Sequence, residues 1–217
     1  MSRIISVKAS LLGSRWDTHY HLTPEVSISQ PTHVLGEITK IRRGISIPAS
    51  KYVGKGDGVA PYVRIADLSH GSISARNVKY VHLKGVPARA MIRPGEVLFS
   101  ITGTLGKTAL VPRSFDRAIV GSQIAILDPN ERYVHPEFLA RVLRSKHVKD
   151  QISRVQTGCI IKHLPVSEIA RLRVRIPPVE AQREILGKIR RLESDYEVAR
   201  ESLARIEERL EKLLESD

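Results

Sequence analysis

The last forty residues constrain this chain most. From Pro178 onward apolar residues recur at Ile185, Ile189, Leu192, Tyr196, Ala199, Leu203, Ile206, Leu210 and Leu213. Successive steps alternate between four and three, which is a continuous heptad seam. No proline follows Pro178, and Gly187 is the only glycine after it. Glu, Arg and Lys fill the remaining faces, as on a solvated helix. The spacing predicts one long helix, about 55 Å from Glu180 to Ser216 at about 1.5 Å per residue. Such a helix either projects to meet a partner helix or folds back along its own domain. The strict, narrow seam favours a partner helix, from a second copy of the chain or from another protein, and a homodimer is expected. Parallel and antiparallel pairing both satisfy the pattern.

Charge is divided between this helix and the rest. From Pro177 onward there are 8 Lys+Arg against 11 Asp+Glu, a net −3; the preceding residues carry 27 against 12, a net +15. A globular part so basic attracts polyanions, and double-stranded DNA is the leading one. Three Phe and one Trp are too few for a single-strand stacking platform. No apolar run reaches membrane-spanning length, and the basic residues do not gather on an amphipathic helix, so no membrane partner is expected. The first ten residues carry no signal-peptide core, and a lone Cys159 suits a reducing compartment, so a cytoplasmic location is expected.

The globular part, residues 1–176, reads as α+β with a mixed sheet and helices; residues 177–217 form the dimerisation and spacer helix. Trp16 reads as a packing anchor in a weakly patterned lead-in. His19 and His21 lack further ligands at metal spacing, so no metal site is expected. Leu35 to Ile41 reads as a short helix or strand, and Arg42-Arg43-Gly44 opens a loop. Residues 50–60, with Gly54, Gly56 and Gly58, form a flexible basic loop. Strands are expected over 61–65, 76–81, 96–101, 108–111 and 172–176, with a strand pair over 118–127. His135-Pro136-Glu137 starts a helix reaching Val155, closed by Thr157-Gly158. Ile160 to Leu164 is extended, Pro165 to Ala170 is a helical turn, and Pro177-Pro178 is the joint to the long helix.

The chemistry of catalysis is missing from these patterns. Gly106-Lys107-Thr108 resembles part of a phosphate-binding loop, but the glycine required five positions earlier is Ile101 and no helix follows. Pro177-Pro178 lacks the preceding Asn or Asp and the following aromatic of an adenine-methylating pocket. No catalytic residue and no cofactor of the chain's own are expected. DNA reading instead needs cations on phosphates and side chains in the major groove. The phosphate candidates are Lys40, Arg42, Arg43, Lys51, Lys55 and Lys107, with Thr104 at the same loop tip as Lys107. Arg64, Arg76 and Lys79 are the candidate base readers.

The order of these features resembles the specificity subunit of type I restriction–modification systems. The resemblance spans about residues 34–217. It rests on Leu35-Gly36-Glu37-Ile38, Pro61-Tyr62-Val63-Arg64-Ile65-Ala66-Asp67-Leu68, the Arg93 to Lys107 stretch, Gly158 to Leu164, and Ile176-Pro177-Pro178-Val179-Glu180-Ala181-Gln182-Arg183-Glu184-Ile185. The family usually has Glu directly before the Gln, where this chain has Ala181. A full member has two target-recognition domains and two long helices; this chain looks like one half. The resemblance implies a noncatalytic DNA reader. It would direct a DNA adenine methyltransferase subunit, which carries S-adenosylmethionine, to a bipartite site, together with any nuclease–translocase subunit. Base-reading positions vary across that family and are not implied by motif. Two other readings remain: a coiled-coil-dimer DNA-binding regulator without enzyme partners, and a nucleotide-using enzyme built on Gly106-Lys107-Thr108.

Overall fold

The computed structural model describes residues 32–69, 71–155 and 163–215, together with the side chains of all but Arg154, Val155 and Leu213. Trp16, His19, His21, Thr157, Gly158, Cys159 and most of the Ile160 to Leu164 segment lie outside the described residues, as does the Leu213 side chain at the end of the seam.

Strands β1 (Thr32–Val34), β2 (Thr39–Arg43), β3 (Val59–Val63), β4 (Leu68–Ser69), β5 (Ser72–Ile73), β6 (Lys79–His82), β7 (Val97–Ser100), β8 (Thr108–Leu110), β9 (Ile119–Val120), β10 (Ile124–Pro129) and β11 (Arg173–Arg175) are joined by helices α1 (Leu35–Ile38), α2 (Pro136–Val142), α3 (Lys146–Val155), α4 (Val166–Arg171) and α5 (Val179–Leu214). The central sheet has the order β2-β10-β7-β8 and is antiparallel throughout. Side chains of a strand alternate between faces, and both faces here are buried. Val97, Phe99, Ala125 and Leu127 enter one core with residues of α2, α3, α4 and α5. Leu98, Ile124 and Ile126 enter a second core with Val63, Leu68 and Phe115. This two-sided burial is why the segment from Val97 reads as a continuous apolar run.

A second sheet has the order β6-β3-β9, with β3 antiparallel to β6 and parallel to β9. Its core is Ala60, Tyr62, Val81, Ala90 and Ile119. The chain passes from the central sheet towards this one at Gly44, whose amide donates to Ile124 O at 3.2 Å while that of Ile45 donates to Val120 O at 2.9 Å. A Cβ at Gly44 would sit 2.2 Å from the Val120 carbonyl oxygen, so only glycine permits that approach.

Three expectations are corrected. Leu35 to Ile41 is both helix and strand: one turn ends where the Thr39 hydroxyl donates to Leu35 O at 2.7 Å, and β2 begins. Arg42 and Arg43 lie in β2, not in a loop, because β2 pairs with β10 through Arg43. The helix expected from Pro136 to Val155 is two helices. Arg144 and Ser145 amides bond back to Arg141 O and Val142 O, tightening the turn, and the Ser145 hydroxyl accepts from Val148 N at 3.4 Å to open α3. Among the described residues no helix is long and apolar enough to cross a membrane.

Candidate nucleic-acid interface

The ten expected contact residues fall into distinct groups. Arg42 is committed to the fold. Its guanidinium donates to Arg89 O and Met91 O, each at 2.9 Å, and to the Glu96 carboxylate at 2.8 Å. Glu96 is buried and also accepts from the Arg93 backbone amide and guanidinium. Arg42, expected on a phosphate, thus has its guanidinium engaged within the fold. Arg64, expected to read bases, is likewise engaged. It grips the buried Asp67 carboxylate through two nitrogens at 3.1 and 3.0 Å and donates to Asn77 O at 2.9 Å. These hydrogen bonds, donated to the Asp67 carboxylate, hold the Arg64 guanidinium above its ordinary pKa. Arg43 is exposed, with Nε donating to Ser122 O.

Lys51, Lys55, Arg76 and Lys79 gather along the outer edge of the second sheet. β6 is the edge strand, and Lys79 on it is exposed. The chain carrying Lys51 and Lys55 runs against that edge, where Val53 N donates to Tyr80 O at 2.9 Å. Arg76 enters β6 from the preceding turn and is exposed. Lys84, absent from the expected set, joins them: it is exposed in the turn after β6, beside Leu83, whose amide donates to Gly58 O at 3.0 Å. Its only signal in the sequence is the Lys84-Gly85 pair at a strand end. Lys40 is exposed on β2, part of the central sheet rather than of this edge.

Thr104 and Lys107 belong to a loop folded around Ser100. The Ser100 hydroxyl donates to Thr104 O at 2.5 Å and accepts from Lys107 N at 2.8 Å. Gly103 and Gly106 supply positive φ of 73° and 78°. Thr104 is exposed, whereas Lys107 Nζ turns back to Leu68 O at 3.4 Å. The strand β8 follows, and Thr108 is buried with its hydroxyl aimed at Ala140 O. A nucleotide loop needs that hydroxyl free for a metal ion and a helix N-terminus beneath it, so Gly106-Lys107-Thr108 is a hairpin. Among the described residues no group of three or more His, Cys, Asp or Glu stands ready to hold a metal.

The long helix divides in two. Leu186 and Ile189 are buried and Ile185 packs on the same core, so the first turns lie on the globular part. Two seam positions, Ile185 and Ile189, thus serve the chain's own core instead of a partner. Leu192 and Tyr196 are exposed, and Leu203, Ile206 and Leu210 are 58%, 56% and 54% exposed, with Ala199 exposed between them. The helix therefore leaves the globular part after about Glu193 and projects.

Residues 32–208 match the type I restriction modification DNA specificity domain, most of the chain. The chain belongs to that family. It is 23% identical over 175 residues to a protein of Methanocaldococcus jannaschii named for the MjaX type I restriction enzyme as its specificity subunit, covering 81% of this chain and 39% of that one. It is 26% identical over 148 residues to the HindI specificity subunit of Haemophilus influenzae, covering 63% and 32%. The HsdS subunit of Thermoanaerobacter tengcongensis superposes with a TM-score of 0.61 at 25% identity, over 80% of this chain and 45% of that one. A second structure, described for complex assembly and conformational transition of the type I R-M system, shares the fold with a TM-score of 0.65 at 20% identity, over 88% and 46%. The chain thus spans less than half the length of these relatives.

In this specificity domain the described residues of the segments at Leu35–Ile38, 61–68, 93–107 and 176–185 are scaffold. Gly36 of α1 lies under Ala170, where a Cβ would meet that residue's Cβ at 3.1 Å. Arg64 and Asp67 brace the turn after β3, and Glu96 braces the turn before β7. Gln182 is fully buried; its amide donates to Tyr133 O and Pro177 O, and its carbonyl oxygen accepts from His135 N, at 2.7–2.8 Å. The basic edge beside β6 lies largely outside these segments.

Proposed function

We propose that this specificity domain is the DNA-reading part of a type I-like restriction–modification system, acting as a half-length subunit. Two copies pair through the projecting halves of α5, antiparallel, so that the two recognition domains stand at opposite ends and read two halves of one duplex site. The paired chains place a DNA adenine methyltransferase subunit, which supplies S-adenosylmethionine, and any nuclease–translocase subunit. The chain itself performs no chemistry. The observation that carries this reading is the exposed seam from Leu192 to Leu210 on a helix whose base is held by its own domain. Leu203, Ile206 and Leu210 are more than half exposed, and such a row of large apolar side chains is costly without a partner. A second copy presents the same a/d spacing, whereas the chain's own domain covers only the first turns. The basic edge around Lys51, Lys55, Arg76, Lys79 and Lys84 supports duplex DNA as ligand.

The test is selection from a library of random duplexes. Wild type enriches an inverted repeat with a fixed gap. Leu203→Asp places a carboxylate in the seam, weakens pairing by several kcal/mol, scatters light as a monomer, and retains only the half-site. Selection without any enriched sequence overturns the reading. A monomeric wild type at micromolar concentration overturns the pairing.

A further inference from the structure

The base of α5 is fastened at two separated points. At its first turn, Gln182 spends both hydrogens and its carbonyl oxygen on backbone groups of the Tyr133 to His135 turn and the Pro177 joint. Three turns on, α2 and α5 share four charges. Arg141 donates to both oxygens of Glu193, at 2.8 and 3.0 Å, and to Glu137 at 3.0 Å. Glu137 in turn accepts from Arg190. Leu186 and Ile189 fill the space between the two fastenings. Gln182 and Glu193 are eleven residues apart, about 16 Å along the helix. Two fixed points that far apart define a direction, which one apolar contact between them does not. Apolar packing resists separation but slides easily; the paired, forked hydrogen bonds of Arg141 also resist rotation.

Direction matters because the helix is long. A swing of about 5° at one end of a rod about 54 Å long moves the other end by about 5 Å. One base-pair step is about 3.4 Å. A loose joint would therefore blur the gap between half-sites by more than one base pair.

We infer that Gln182 and the Glu137–Arg141–Arg190–Glu193 network are positioning residues that set the angle between recognition domain and helix, and so the permitted gap in the DNA target. The inference rests on the bipartite reading above. None of these residues lies on the basic edge, so affinity for a half-site does not depend on them.

The experiment selects bipartite duplexes over a range of gaps with the full chain as wild type, Arg141→Met, Arg141→Lys, and the more exposed variant Arg190→Gln. Thermal unfolding and half-site affinity are measured for each. Wild type prefers one gap. Arg141→Met retains half-site affinity while the relative acceptance of gaps one base pair longer or shorter rises several-fold. Arg141→Lys keeps the charge but not the fork and recovers only part of the preference. Arg190→Gln, which leaves Arg141 and Glu193 intact and keeps the fold if Arg141→Met does not, broadens it less. A sharp wild-type preference that persists in every folded variant overturns the inference alone. A wild type with no preferred gap overturns the bipartite reading and the inference with it.

Discussion

Arg42 and Lys79 show why a basic residue's role depends on what lies within reach of its side chain. Both are candidates for DNA on charge alone. Arg42 faces the buried Glu96 carboxylate and two backbone carbonyls, while Lys79 stands exposed on an edge strand. Removing Arg42 leaves a buried carboxylate with one fewer partner, so Arg42→Ala lowers stability by about 1–3 kcal/mol, read by urea unfolding. Its effect on DNA affinity disappears once the folded fraction is accounted for. Lys55→Ala and Lys79→Ala do the reverse. Unfolding is unchanged, duplex affinity falls for all sequences, and the slope of log affinity against log salt drops by about one for each phosphate no longer neutralised. Nothing in the local sequence separates these cases, because Glu96 is fifty-four positions from Arg42.

At the scale of elements, the joint between α2 and α5 responds to acid. Burial pushes the Glu137 carboxyl up, but hydrogen bonds from Arg190 and Arg141 outweigh it and hold the group below the ordinary glutamate range. A carboxylate depressed in the folded state stabilises the fold above its unfolded value, near 4.5. That contribution is lost as pH falls from there through the depressed value. Glu137→Gln therefore flattens the acid limb of a plot of unfolding free energy against pH, from about pH 5 downward, with little change to its slope near neutrality. An unaltered acid limb would show that Glu137 does not hold the joint. The long helix is legible on α5 from its heptads, but the fastening of its base is not. Arg190 and Glu193 look like ordinary solvated charges, and Ile185 and Ile189 like more seam, until α2 is packed against them.

For the whole molecule, the proposed pairing makes the projecting half of α5 the spacer. Seven residues inserted after Ala199, in the exposed part, restore the a/d positions and add about 10 Å of helix. At about 3.4 Å per base pair the preferred gap grows by about three base pairs. The two readers also rotate by about a third of a turn around the duplex, at about 10.5 base pairs per turn, so affinity falls as the preference shifts. Gap selection with wild type and inserted chains measures both. An unchanged gap means that the helices do not set the spacing.

The sequence by itself determined the long helix, the joint at Pro177-Pro178, most strands, the hairpin around Gly103 to Gly106, and the concentration of positive charge outside the helix. These follow from periodicity, proline and glycine geometry, and composition, all of which act over a few residues. Tertiary structure decided which cations are free and which are spent on Glu96 and Asp67. It also divided the apolar seam, giving Ile185 and Ile189 to the chain's own core and leaving Leu203, Ile206 and Leu210 exposed. The physical reason is the same in both cases. A charge or an apolar side chain is satisfied by whatever the folded chain brings near, and folding, not spacing, sets that neighbour.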